Sequence, residues 1–301
     1  MSANLSTNGI AHAAIAARGW WSAHKWLILR RVSQFGILAL FLAGPWFGLW
    51  IVKGNLNYSY TLGLLPLTDP HVLLQSLLAG HSPEKNALIG AAIVALFYFL
   101  VGGRVFCAWV CPLNPVTDLA AWLRARLGIK GGAHVSRHAR LWILGLTLVL
   151  ALATGSIAWE LVNPVSMLHR GLFFGIGLAW TAVLAVFLFD LAVMNRGWCG
   201  HLCPVGAFYS LLGHRSMLRV TATRRAACDD CNDCFVVCPE PLVIRSPLKD
   251  GDRGVGPVIL SSQCTNCGRC IDVCAKNVFA FGTRFSHSVS PLIGAQQAAP
   301  K

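Results

Sequence analysis

The chain has 301 residues, of which 55% are hydrophobic and 12% are charged, and its mean hydropathy is +0.58. This composition is too apolar for an ordinary soluble protein of that length, so much of the chain is expected in a lipid bilayer. The net charge of +13 fits the excess of Lys and Arg that membrane proteins carry on the cytoplasmic side, and no nucleic-acid role is expected.

The chain begins with a cluster of tryptophan and basic residues that includes Trp20, Trp21, Lys25 and Arg30. Such residues are typical of the boundary between water and lipid, so we assign residues 1–32 to a cytoplasmic N-terminal segment. Four apolar stretches follow, and each reaches the roughly 18–20 residues that a helix needs to cross hydrocarbon. The predicted spans are 33–53, 86–103, 141–160 and 172–194.

Basic residues orient these four predicted helices. They are concentrated before the first span and between the second and third, whereas the opposite loops hold few of them; the main ones are Arg18, Lys25, Arg30, Arg31, Arg104, Arg124, Arg126, Lys130, Arg137 and Arg140. By the positive-inside rule, the segments rich in Lys and Arg face the cytoplasm. The sequence therefore predicts a multi-pass protein of the bacterial inner (cytoplasmic) membrane with both termini in the cytoplasm.

The two halves of the predicted membrane domain, 33–212, repeat each other. In each half one span runs out and a second returns, and the returning span is followed by a C-x3-C-P motif, Cys107/Cys111 or Cys199/Cys203. A two-fold axis along the membrane normal would bring the four cysteines together on the cytoplasmic face. The predicted fold is an α-helical integral membrane protein with four transmembrane helices in two parallel-repeated hairpins.

Several interpretations of these four cysteines are open. Cysteines four apart face the same way on a helix, and four thiolates are enough for one tetrahedral metal ion or one further cluster. The alternatives are buried thiols that pack as small apolar groups and redox pairs that close transiently. The duplicated spacing favours a redox or metal site.

The strongest motif lies near the C-terminus, where residues 228–238 and 264–274 each carry the spacing C-x2-C-x2-C-x3-C. In such bacterial ferredoxin runs three close cysteines bind one [4Fe-4S] cluster and the fourth binds the other cluster. A zinc site or a disulfide framework is the alternative, which the repeated spacing disfavours. The predicted ligands are Cys228, Cys231, Cys234 and Cys274 for the first cluster, and Cys264, Cys267, Cys270 and Cys238 for the second.

Residues 213–285 are accordingly expected to form a small cytoplasmic α+β domain of the bacterial 2[4Fe-4S] ferredoxin type. The spacer between the runs, 241–263, is rich in Gly and Pro and predicts a short hairpin. The tail, 286–301, is expected to be disordered. No histidine lies in the middle of a predicted span, so axial haem ligands are missing and no haem is expected.

With these motifs in place, the chain resembles the NapH family, the ferredoxin-type membrane subunits of periplasmic nitrate reductase systems. The resemblance runs through nearly the whole chain and rests on segments such as WWSAHKWLILRR, FCAWVCPLNPVTDLA, GWCGHLCPVGA and CFVVCPEP. It implies a quinol dehydrogenase that passes electrons from ubiquinol and the quinone pool toward periplasmic nitrate reductase in nitrate respiration. The implied partners are a periplasmic ferredoxin-type subunit and, in many systems, a membrane tetrahaem cytochrome.

Quinol oxidation releases protons, so a quinol site needs polar acceptors near a membrane surface. The predicted outer loops hold five such candidates, which are Asp69, His71, Gln75, Glu160 and His169. Capping of short helices or contact with lipid headgroups explains any one of them equally well.

The leading hypothesis is therefore an iron–sulfur electron-transfer protein that acts as a quinol dehydrogenase component. Two competing hypotheses are a maturation factor that reduces a metal ion or disulfide at the C-x3-C-P cysteines, and a redox-sensing membrane anchor. Both predicted ferredoxin clusters lie inside, whereas the implied acceptor lies outside, across roughly 30 Å of hydrocarbon.

Overall fold

The computed structural model describes residues 10–286 except 130, 134, 176 and 178. Apart from Ser286, the predicted disordered tail lies outside the described residues. The helices are α1 His12–Arg18, α2 Trp20–Phe47, α3 Pro70–Leu78, α4 Lys85–Val101, α5 Val105–Trp109, α6 Asn114–Arg126, α7 Ala139–Thr154, α8 Pro164–Phe174, α9 Ala179–Leu188, α10 Pro204–Leu212, α11 Asp233–Val237, α12 Leu242–Lys249 and α13 Arg269–Asp272. The strands are β1 Val52–Gly54, β2 Tyr58–Thr61, β3 Leu65–Thr68, β4 Leu218–Thr221 and β5 Ala280–Thr283.

Helix α2 differs from the first predicted span, 33–53, at both ends. It begins at Trp20 and ends at Phe47. The helix stops there because Gly48 adopts a left-handed φ of 72° and its N–H bonds back to the carbonyls of Ala43 and Gly44. The chain then folds back, so that the last residues of the predicted span belong to a turn and to strand β1. The glycine stop, rather than hydropathy, sets the end of this helix.

The other predicted spans match helices to different degrees. The spans at 86–103 and 141–160 correspond to α4 and α7, which end at Gly102 and Gly155 with positive φ angles. The span at 172–194 is wrong as a single helix, because α8 ends at Phe174 before Gly175, whose φ is 91°. Helix α9 then starts anew and runs into one π-helical turn, Phe189–Val193.

Among the described residues, α2 is the one helix that is both long and apolar enough to cross a membrane by itself. Its 28 residues correspond to about 42 Å at about 1.5 Å per residue. Three shorter apolar helical stretches accompany it, namely Lys85–Val101, Ala139–Thr154 and Trp180–Val193. Of the four predicted spans, one therefore corresponds to a helix of spanning length, and the other three stay predictions.

A three-stranded antiparallel sheet, β1–β2–β3, connects α2 to the helices that follow. Strand β3 packs on α4 at Gly90, where an added Cβ would lie 2.9 Å from Oγ1 of Thr68. Directly after β3, Asp69 caps α3 by accepting a hydrogen bond from the N–H of His71. The segment between α2 and α4 is therefore a folded unit packed against α4 and α7.

The cysteine-rich segment is built around short helices and one strand pair. Strands β4 and β5 pair antiparallel, and α11 and α13 carry cysteines. The hairpin predicted for 241–263 is wrong, since Leu242–Lys249 forms α12, whose apolar side is buried against β4. The buried residues of α12 are Val243, Ile244, Pro247 and Leu248, and this spacing of four is the period of a helical face rather than of a strand.

The N-terminal segment belongs to the core of the cysteine-rich part. Ala11, Ala14 and Ala23 are buried in the same hydrophobic cluster as Val220 and Ile244. Further along α2, the carboxylate of Asp272 accepts hydrogen bonds of 3.0 Å from two backbone N–H groups, those of residues 26 and 27. The first turns of α2 therefore hold the cysteine-rich part against the apolar helices.

Candidate functional site

The cysteines of the two C-terminal runs line two separate cavities. Cys228, Cys231, Cys234 and Cys274 line the first cavity, and Cys238, Cys264, Cys267 and Cys270 line the second. These are the two crossed sets that the spacing predicts as cluster ligands. In the described part of the chain no group of three or more His, Cys, Asp or Glu side chains is arranged to hold a single metal ion.

Both runs wrap their cavity with the same backbone pattern. In the first run Asp230 and Asn232 have φ angles of 59° and 63°, and in the second Asn266 and Gly268 have 46° and 73°. These residues occupy equivalent positions, two and four residues after the first cysteine of each run. A left-handed residue between right-handed ones turns successive N–H groups toward one point, and such nests bind the anionic sulfur of iron–sulfur clusters. The donor set and the backbone thus fit a [4Fe-4S] cluster in each cavity.

Two one-turn helices connect the cavities. Helix α11 has Cys234 of the first cavity near its start and is followed by Cys238 of the second, while α13 carries Cys270 of the second and precedes Cys274 of the first. The first cavity is the more exposed one, because it includes the exposed Cys231, whereas every cysteine of the second cavity is buried or half-buried.

The four C-x3-C-P cysteines converge at the end of the apolar helices. Cys107 lies on α5, and Cys199 lies on the π-helical turn Trp198–Leu202. The thiols of Cys107, Cys111 and Cys203 all act electrostatically on Cys199, so the two motifs share one site. Gly206 leaves room there, since a Cβ at this residue would lie 3.8 Å from Sγ of Cys107.

Burial and positive charge act in opposite directions on these thiols. Burial raises the pKa of Cys107, and the neighbouring guanidinium of Arg104 opposes that rise. Burial also raises the pKa of Cys203 to about 11, with the Cys107 thiol adding to the shift. Without a bound cation the thiols are therefore neutral at pH 7, whereas a metal or cluster would bind them as thiolates.

Arg104 connects this thiol site to the second cavity. Its Nη2 donates to the carbonyl of Cys199 and its Nη1 to the Glu240 carboxylate and the Gln263 carbonyl, all at 3.0 Å. Glu240 follows Cys238 by two residues and Gln263 precedes Cys264. The signal for this residue was present in the sequence, because each motif reads R-x2-C-x3-C-P, with Arg104 and Arg196 in the same position.

Positive charge exceeds negative charge around Glu240. Its carboxylate pairs with Arg104 at 3.0 Å, Arg137 at 3.2 Å and Arg140 at 3.9 Å. Arg104 and Arg140 are almost fully buried, so three guanidinium groups face a single carboxylate. A cluster held by four thiolates is an anion, and it would supply the missing negative charge beside Cys107. The residues present therefore fit a third cluster at this site.

A cavity of about 450 Å³ lies between α2, the three-stranded sheet and α4. Most of its lining is aliphatic or aromatic, and its polar lining residues include Ser59, Thr68, Asp69 and Tyr209. Burial raises the pKa of the Asp69 carboxyl to about 6, and the hydrogen bond from the His71 N–H opposes that rise.

The structure brings one of the five predicted quinol-site candidates, Asp69, to this cavity. His71 is fully buried beside Gln75, and burial lowers the pKa of its ring to about 4. Glu160 accepts hydrogen bonds from Asn57, Asn163 and Ser166. His169 packs on Phe173, with 4.1 Å between the ring centroids. These four candidates lie away from the cavity lining. Three of them have hydrogen-bond partners in the fold, whereas the buried Nε2 of His169 has none among the described residues.

Comparison with protein families gives two matches. A model described as a 4Fe-4S binding domain matches residues 86–130 and 172–221, so each match contains one C-x3-C-P motif. A model described as a 4Fe-4S dicluster domain matches residues 227–278, which hold the two ferredoxin runs. No solved structure matches the chain.

Similar proteins span nearly the whole chain. The ferredoxin-type protein NapH of Haemophilus influenzae is 52% identical over 270 residues, which cover 90% of this chain and 94% of that protein. NapH of Escherichia coli is 50% identical over 91% of this chain and 94% of its own length. The methylamine utilization ferredoxin-type protein MauN of Paracoccus denitrificans is 55% identical over 91% of this chain and 95% of its own length.

Proposed function

The chain belongs to the family of ferredoxin-type iron–sulfur electron-transfer proteins that includes NapH and MauN, and from that premise we propose that it oxidises quinol at the bacterial inner membrane. Ubiquinol is the proposed donor, and the protein's iron–sulfur clusters are the proposed one-electron acceptors. The single observation that carries the proposal is that Arg104 joins the C-x3-C-P cysteines at the end of the apolar helices to the second ferredoxin cavity, by hydrogen bonds to the Cys199 carbonyl, the Glu240 carboxylate and the Gln263 carbonyl.

We place α2, α4, α7 and α9 across the bilayer. Each carries large apolar side chains that are exposed, among them Phe35 on α2, Leu96 on α4, Leu152 on α7 and Leu184 on α9. Exposed apolar surface of this extent is typical of a face that contacts lipid. Basic residues of the N-terminal segment and of the connection between α4 and α7 support a cytoplasmic position for the cysteine-rich part.

Three clusters are proposed. Two [4Fe-4S] clusters are bound by the crossed ferredoxin sets, and the third is bound by Cys107, Cys111, Cys199 and Cys203. Clusters at these sites supply reversible one-electron storage. Arg104 contributes a fixed positive charge between the third site and the second cavity, which stabilises an added electron on either side of it.

The final electron acceptor is proposed from the relatives. Similarity to NapH favours delivery toward periplasmic nitrate reductase, with a periplasmic ferredoxin-type subunit and a membrane tetrahaem cytochrome as partners. The similarity to MauN, at 52% and 55% identity, favours a second candidate, the delivery or withdrawal of electrons in methylamine utilization. The shared part of both candidates is electron exchange between a quinone pool and iron–sulfur clusters.

Membrane vesicles that contain the protein test this function. Supplied with a quinol, they are expected to pass electrons to nitrate reductase when the periplasmic ferredoxin-type subunit is added. Reduction of a metal ion or disulfide at the C-x3-C-P cysteines without electron flow to that acceptor would instead favour a maturation factor. Absence of both activities would favour a redox-sensing anchor.

A further inference from the structure

The cavity between α2, the sheet and α4 has two chemically different parts. Ile37, Leu40, Ile93 and Phe97 supply an apolar part, and a polar part is formed by the side chains of Ser59, Thr68, Asp69 and Tyr209. Its volume of about 450 Å³ falls in the range typical of small-molecule sites, about 300–1,000 Å³. An occupant that matches this lining is an amphipathic molecule with a polar head group and an apolar tail.

The cavity opens toward the proposed lipid phase. Leu40, Ile93 and Phe97 line it and are 41%, 37% and 52% exposed, and they lie on the facing sides of α2 and α4. The polar lining groups are more deeply buried, with Thr68 and Asp69 each 6% exposed. A ligand that enters between the two helices from the bilayer would thus place its polar head group innermost.

One polar atom in the lining has no partner in the fold. Oγ1 of Thr68 is buried and forms no hydrogen bond among the described residues. Beside it, Oδ1 of Asp69 lies 3.5 Å from the Tyr209 hydroxyl. A buried hydroxyl without a partner is costly, so such a group is usually explained by a ligand or water.

We propose that this cavity is the quinol-binding site and that Asp69 accepts the quinol's protons, an inference that rests on the function proposed above. The Thr68 hydroxyl bonds the quinol ring, and Tyr209 holds the Asp69 carboxylate. This assignment places the site on the membrane side of the cysteines and leaves His71, Gln75, Glu160 and His169 outside it.

The thiol site lies directly behind the cavity. Phe106 and Val110 line the cavity, and each is next in sequence to a cysteine, Cys107 or Cys111. The Phe106 ring stacks on Tyr209 with 4.9 Å between the centroids and an interplanar angle of 16°. The cavity and the first proposed acceptor site are therefore neighbours in the fold.

Oxidation of one quinol to quinone breaks two O–H bonds and yields two protons and two electrons. The electrons leave one at a time to oxidised iron–sulfur clusters of the protein. The protons pass in turn to the Asp69 carboxylate, which releases each one to water before it accepts the next.

A photoreactive azido-ubiquinone tests the site by binding rather than by turnover. The purified protein in vesicles is irradiated with the probe, and labelled peptides are identified by mass spectrometry. Ile93→Trp fills the cavity, and Ile89→Trp is the matched control, because Ile89 is 53% exposed one helical turn earlier on α4 and does not line the cavity. Cluster re-oxidation by added quinone is recorded on the same samples.

The expected result is labelling of cavity-lining segments in the wild type and in Ile89→Trp, with at least a tenfold loss in Ile93→Trp. Equal labelling of the two Trp variants, or labelling elsewhere, would overturn the proposed site. Electron exchange in the same wild-type samples would still support the proposed function. Labelling of the cavity without electron exchange would contradict the function and retain the cavity as a quinone-binding site.

Discussion

Nη1 of Arg104 lies 3.0 Å from Oε1 of Glu240, although the two residues are 136 positions apart in the chain, and their side chains are only 2% and 3% exposed. This buried ion pair joins the helix that carries Cys107 to the loop that follows Cys238. Because it spans the boundary between the apolar helices and the cysteine-rich part, it fixes both the distance and the charge between their proposed clusters.

Removal of the carboxylate from this pair should destabilise the protein strongly. Glu240→Gln leaves Arg104 and Arg140 buried without a negative partner, and we expect the free energy of unfolding to fall by about 3–5 kcal/mol. Arg137→Gln is the control, since Arg137 contacts the same carboxylate at 3.2 Å but is 34% exposed, and a loss below about 1 kcal/mol is expected. Thermal unfolding in detergent measures both; similar melting temperatures would contradict the role given to the buried pair.

The paired C-x3-C-P cysteines should hold iron. The wild type, purified without oxygen, is expected to contain about twelve irons if three [4Fe-4S] clusters are bound. Cys107→Ser and Cys199→Ser should each lose about four irons and quinol-dependent electron flow, while the spectra of the ferredoxin clusters persist. Variants with wild-type iron content and electron flow would show that these thiols are structural.

Cys231→Ser tests the first ferredoxin cavity independently. Cys231 is exposed and lies on the more exposed cavity, so its replacement should remove one cluster without disturbing the thiol site behind Phe106. We expect a loss of about four irons, with the electron paramagnetic resonance signals of the other clusters retained. Loss of all signals together would mean that the cavities do not assemble separately.

Quinol oxidation should depend on pH through Asp69. Burial raises the pKa of this carboxyl to about 6, so the proton-accepting carboxylate form grows as pH rises from 5 to 7 and the rate should rise with it. Asp69→Asn keeps a side chain able to cap α3, yet it should lower the rate about 100-fold and abolish the rise.

Other titratable groups lie near Asp69, and the same pH experiment must distinguish them from it. They are the Glu160 carboxyl, the His71 ring and the hydroxyls of Tyr98 and Tyr209. Burial lowers the pKa of His71 to about 4, so this ring stays neutral across the rise. A pH profile that disappears in Glu160→Gln and persists in Asp69→Asn would assign the titration to Glu160 and contradict the prediction.

The backbone of Gly103 lies close to that of Tyr209, and the position of Tyr209 should depend on this close approach. An added Cβ at Gly103 would lie 1.6 Å from the Tyr209 carbonyl oxygen, so Gly103→Ala must displace α10. We expect a loss of stability of at least 2 kcal/mol and weaker quinone binding. Gly145→Ala is the matched control, because nothing lies within 4 Å of its added Cβ and α7 should gain about 0.5–1 kcal/mol. Equal melting temperatures for the two variants would contradict this prediction.

The sequence was most informative where chemistry depends on short spacing. The crossed grouping of Cys228 with Cys274 and of Cys238 with Cys264 followed from the ferredoxin runs, because three ligands of each set are only a few residues apart. The convergence of Cys107 with Cys199 followed from the internal repeat. Hydropathy located the apolar segments, but glycines such as Gly48 and Gly175 set where the helices end.

Features that depend on distant contacts were not predicted. The sheet β1–β3 is built from three- and four-residue strands, too short to show a clear alternation, and it is stabilised by packing on α4. The pairing of Arg104 with Glu240 joins residues from different parts of the chain, so no local pattern indicates it. The cavity beside Asp69 likewise exists only where α2, β3 and α4 meet.

The central claim, that the clusters exchange electrons with quinone, is tested most directly by absorbance and electron paramagnetic resonance of the purified protein. Clusters are first reduced with dithionite, excess reductant is removed, and a ubiquinone analogue is added without oxygen. We expect the clusters to be re-oxidised with formation of quinol, and Ile93→Trp to slow this re-oxidation at least tenfold relative to Ile89→Trp. Clusters that stay reduced in the wild type while a ferricyanide control oxidises them would contradict the central claim.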